Sequence, residues 1–65
     1  MKFALQFDMD NAAFEASPAT EVARILLETA QSVAAFEVSI SIGVESGYPV
    51  RDGNGNTIGK WSVTP

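Results

Sequence analysis

Asp8, Asp10 and Glu15 are the densest carboxylate group in the chain. Two carboxylates at i and i+2 can share a magnesium ion or divide acid and base roles. Asp52-Gly53-Asn54-Gly55-Asn56 places oxygen-bearing side chains at alternate positions, as a calcium loop does at its start. Neither pattern extends further. An EF-hand also needs glycine at its sixth position and a bidentate glutamate at its twelfth, and this chain has Thr57 and Val63 there. Carboxylate catalysis needs a nucleophile, an oxyanion stabiliser and a pocket besides. With no histidine and no cysteine, Ser-His-Asp and Cys-His chemistry, the usual zinc ligands and disulfides are excluded. Gly53, Gly55 and Gly59 lack the Lys-Ser/Thr and the following helix of a phosphate loop. The expectation is no catalytic residue, no cofactor and no metal, with the carboxylates serving strand-end solvation and turn capping.

Other classes fall to composition. The 65 residues carry a net charge of −4, and 46% are apolar. That fits one small domain, residues 1–65, with a marginal core. Lys2, Arg24, Arg51 and Lys60 are scattered along the sequence, so direct nucleic-acid binding, which needs a positive stripe, is not expected. No apolar run approaches the ~18 residues of a membrane span, and the first residues lack a signal-peptide pattern. The expected location is cytoplasmic.

Periodicity supplies the elements. From Lys2 to Met9 the chain alternates, with Phe3, Leu5, Phe7 and Met9 on one face, as in a half-buried strand. Ser17-Pro18 predicts a helix start, with serine as cap and proline in the first turn. Ala19, Val22, Ala23, Leu26, Ala30 and Val33 then form an apolar stripe, with Ile25 and Leu27 at its margins, predicting an amphipathic helix over Pro18 to Ala35. Val38, Ile40 and Ile42 alternate again, and Phe36-Glu37 fits either element. Val44 to Gly47 predicts a turn. Tyr48 to Val63 predicts a hairpin with Asp52 to Asn56 at its tip. The order strand, helix, strands predicts a single α+β domain: one amphipathic helix packed on a small, mainly antiparallel sheet of three to four strands.

Two segments are distinctive as a pair: Asp8-Met9-Asp10-Asn11-Ala12-Ala13-Phe14, and Arg51-Asp52-x-Asn54-Gly55-Asn56-x-Ile58-Gly59-x-Trp61. With them and the capped helix, the chain resembles short uncharacterised proteins of bacteriophages, prophages and bacteria. The resemblance implies a genetic context and carries over no catalytic residue.

These readings converge on a small acidic non-enzymatic protein-binding module. Its expected partner is a larger, basic protein or complex, whose surface it occupies. In the phage setting, the specific form is an inhibitor of a bacterial defence or regulatory complex, anti-CRISPR-like in action. Glu45, Tyr48, Asp52 and Trp61 are the expected contact residues: carboxylates for the rim, aromatics as anchors. Trp61 joins them only if it points away from the helix. The alternative is a structural or assembly protein, a homodimer joined through sheet edges. Val38 to Gly43, which carries no charge, would be the exposed edge.

Overall fold

Alternating apolar residues make a strand only where a neighbour accepts their backbone hydrogen bonds. In the computed structural model, which describes residues 1–35 and 44–65 (backbone only at 44–46), strand β1 spans Lys2–Phe7. It ends two residues short of the alternating pattern. Asn11 then caps a 3₁₀ turn, Ala12–Phe14, by accepting the Ala13 N–H on its side-chain oxygen at 3.1 Å. Helix α1 covers Pro18–Ala35, the predicted span. The Ser17 carbonyl accepts the Glu21 N–H, and its hydroxyl pairs with Thr20 Oγ1 at 2.7 Å. Strands β2, Val44–Arg51, and β3, Thr57–Thr64, complete the chain.

The sheet is antiparallel with the order β1-β3-β2, so the C-terminal strand lies in the middle. Lys2 opposes Thr64, Leu5 opposes Trp61 and Phe7 opposes Gly59. On the other side Tyr48 opposes Trp61 and Val50 opposes Gly59. The fold is thus the expected α+β domain, with one long helix and three strands among the described residues. The alternating stretch Val38 to Gly43, expected as a further strand and possible edge, lies outside them.

Two local expectations change. Val44 to Gly47 is not a chain reversal but the first half of β2. The register slips between Val44 and Tyr48, and Gly47 takes φ +78° at the slip. A glycine at positive φ bulges a strand as readily as it turns one. The helix face also rotates. Ile25, placed at the margin of the stripe, is 1% exposed, and Thr29 beside it is 8% exposed. Leu26, placed at the centre, is 48% exposed. Thr29 reads as polar, so apolar periodicity drew the stripe around it.

The core joins Ile25 of the helix to Phe14, Val50, Trp61 and Val63, with Leu5, Phe7, Val22, Val33 and Tyr48 packed against it. Gly59 lets the sheet close on this side. A Cβ there would lie 2.0 Å from the Gln6 carbonyl oxygen and 2.5 Å from Phe7 Cα.

Candidate functional site

The two distinctive segments meet in space. The 3₁₀ turn holds Asn11 at the end of β1, and the hairpin tip holds Asp52 at the end of β2. The side-chain amide of Asn11 donates to Asp52 Oδ2. Asp52 Oδ1 accepts the N–H groups of Asn54 and Asn56, each at 2.9 Å, and Oδ2 accepts the Asn56 amide at 3.3 Å. The Asp52 N–H closes the loop on the Asn56 carbonyl at 3.0 Å, and Gly55, at φ +84°, turns the tip. The side chain of Asp52 is therefore a buried acceptor on which four donors converge.

A second carboxylate fastens the same tip to the helix. Glu21 Oε2 accepts the Gly53 N–H at 2.6 Å. Arg24 grips Glu21 with two parallel bonds, 2.9 and 3.0 Å, and reaches Glu28 at 2.8 Å. Strand end, helix start and hairpin tip are thereby tied through Asn11, Glu21, Asp52 and Gly53.

Electrostatics assigns this cluster a role. Burial opposes ionisation of Asp52, but hydrogen bonds from Asn56, Asn54 and Asn11 outweigh it and hold the carboxyl below its usual range. The Arg24 guanidinium, with help from the Gly53 N–H, lowers Glu21 as well. Both carboxylates are thereby favoured in their ionised form as hydrogen-bond acceptors, and the arrangement fastens three segments.

The four expected contact residues do not form one accessible surface. Asp52 is 5% exposed and Trp61 1%. Trp61 points toward the helix, stacked on Phe3 with centroids 5.8 Å apart and tilted against Tyr48 at 4.9 Å. Tyr48 is half-buried beside it, and Glu45 lies on β2 with its side chain outside the described residues. The condition placed on Trp61 as an anchor, that it point away from the helix, is not met.

Exposure lies elsewhere. Asp8, Asp10 and Glu15 are exposed, as is Met9 at 46%. Between β1 and α1 runs an open apolar groove of about 440 Å³, lined by Phe3, Leu5, Leu26, Thr29, Ala30 and Val33. Sequence reading singled out the carboxylates, expecting strand-end solvation and turn capping, and missed the groove. Phe3 sits on the apolar face of β1, and only the placement of the helix leaves it 51% exposed. Among the described residues, no helix is long and apolar enough to cross a membrane, and no group of three or more metal-binding side chains forms.

Among the described residues, the class defined by this geometry is an α+β domain, a three-stranded antiparallel sheet with one long helix on one face. No protein-family model matches the chain, and neither a curated protein nor a solved structure matches it.

Proposed function

We propose that this chain is a small acidic protein-binding module, non-enzymatic and cytoplasmic, that acts by occupying a surface of a larger basic protein or complex. The observation that carries the reading is the end of the molecule beyond β1. There Asp8 and Asp10 stand on either side of the exposed Met9 in sequence, and Glu15, after the 3₁₀ turn, is exposed as well, so the segment offers an apolar side chain among exposed carboxylates. Asp52 and Glu21, by contrast, are engaged in holding the fold. In the phage or mobile-element setting implied by the motif pair, such a module serves as an inhibitor of a bacterial defence or regulatory complex.

Charge reversal at the rim tests this. Rim carboxylates mainly speed association, so Asp10→Lys with Glu15→Lys should slow capture by the basic partner and flatten its salt dependence. Full, salt-sensitive capture by that double variant, shown to be folded, would refute the reading. A second reading, a homodimer through sheet edges, is favoured by the β1 edge and its groove.

A further inference from the structure

β1 is the outer strand of the sheet among the described residues. Its direction of hydrogen bonding follows from one contact. The Asp8 N–H donates to the Ile58 carbonyl of β3 at 2.9 Å. Backbone groups alternate sides along a strand, so Ala4 and Gln6 also turn theirs toward β3. Phe3, Leu5 and Phe7 turn their N–H and C=O groups outward. Exposed edges are normally blunted by a charge, a proline or a bulge. β1 has none of these between Lys2 and Asp8, and its register with β3 is unbroken from Lys2 to Phe7. The same strand borders the open apolar groove, where Phe3 is 51% and Leu26 48% exposed.

We propose that the occupant of this edge is a second copy of the chain, with the two β1 strands antiparallel about a two-fold axis through Leu5. The sequence of β1 is self-complementary in that register. Leu5 faces Leu5, Phe3 of one copy faces Phe7 of the other, and Ala4 faces Gln6. Every pair joins residues of the same sheet face, as antiparallel pairing requires. At each end Lys2 of one copy meets Asp8 of the other, so the charges that bound the strand become two cross-strand pairs. A register one step away, centred on Ala4, keeps the faces but sets Lys2 against Gln6 and loses both charge pairs. In the proposed register Phe3, Leu5 and Phe7 meet as hydrogen-bonded pairs, matching the outward direction of their backbone groups. Both helices then lie on one face of a continuous sheet that joins the three described strands of each copy, above a trough floored by Phe3, Leu5 and Phe7 of both copies. Strand pairing alone buries less than the roughly 800 Å² per partner of a stable complex. The groove residues Phe3 and Leu26 supply the apolar remainder.

Sedimentation equilibrium of the unaltered protein, at micromolar to sub-millimolar concentration, should show a reversible monomer–dimer system. Asp8→Lys should weaken the dimer about tenfold by setting like charges opposite each other at both ends. Lys2→Asp combined with Asp8→Lys should restore it. The chain has no cysteine, which permits a register test. Ala4 and Gln6 form a non-hydrogen-bonded pair, where Cβ atoms come within disulfide reach. A mixture of Ala4→Cys and Gln6→Cys proteins should cross-link on mild oxidation, and neither alone should do so. A monomer at every concentration overturns the proposal. So does cross-linking of Ala4→Cys by itself, which would mean the Ala4-centred register. Capture of a basic partner depends on Asp10 and Glu15, so failure here leaves the binding reading standing, and the converse holds.

Discussion

Asn11 donates its side-chain amide to Asp52 across 41 positions of sequence, and this bond joins the segment after β1 to the hairpin tip. Asn11 caps one turn with its oxygen and holds the next with its nitrogen. Phe14 and Trp61, from the same two segments, are buried in one core. The motif pair is thus a folding device.

Removing the hub should be worse than removing any one spoke. Asp52→Ala leaves Asn11, Asn54 and Asn56 without their shared acceptor and removes the hydrogen bonds that set the tip's conformation. Thermal melting followed by circular dichroism should drop further for Asp52→Ala than for Asn56→Ala. Added calcium should leave the unaltered protein's melting temperature unchanged.

The same carboxylates set an acid limit. Asp52 and Glu21 have folded-state values below the ordinary 3.8 and 4.5. A depressed folded value adds stability that is full above the unfolded value and is lost as pH falls through the folded one. Urea unfolding should therefore give constant stability from these groups at pH above about 5.5, and a decline below about 4.5. Asp52→Asn with Glu21→Gln should start less stable at neutral pH and lose less on acidification. An equal acid slope in both proteins would place the transition in other carboxylates.

The two hairpin glycines should respond oppositely to a methyl group. At Gly59 the added Cβ meets backbone of β1 at 2.0 Å, with nothing flexible to yield. Gly59→Ala should fail to reach the folded state, with dispersed amide NMR signals lost. At Gly55 no atom lies within 4 Å, and only φ +84° resists. Gly55→Ala should cost about 1–2 kcal/mol by denaturant titration.

Adjacent helix residues provide a sharper contrast. Ile25 is 1% exposed and Leu26 48%. Ile25→Ala should cost about 2–5 kcal/mol, enough to unfold much of so small a domain. Leu26→Ala in the monomer should cost less than about 1 kcal/mol, and the variant should dimerise more weakly.

Elements were legible wherever one local rule governed them. Alternation located β1, and Pro18 with the apolar stripe located α1. The Asp52–Asn56 tip followed from residues that cap and turn. Facing was harder. Thr29 is polar by type yet buried, and Leu26 is apolar yet half open, because the helix leans toward β2 and the 3₁₀ turn and leaves the Phe3 end of β1 open. The candidate site was the least legible. Asp52 and Trp61 have the chemistry of contact residues, and only the tertiary fold shows the first to be buried under four donors and the second to be held among Phe3, Tyr48 and the helix. Asn11 and Glu21, which bind the tip from distant segments, carry no local mark of that role.

The strand order has a consequence for synthesis. β3 pairs with both other strands and emerges after every other described element. Until it arrives, β1 and β2 have no shared partner, Gly59 and Trp61 are missing from the closure of the sheet, and the helix has little to pack against. A nascent chain halted before Thr57 should be sensitive to protease along its whole length, and the completed chain should gain protection in one step.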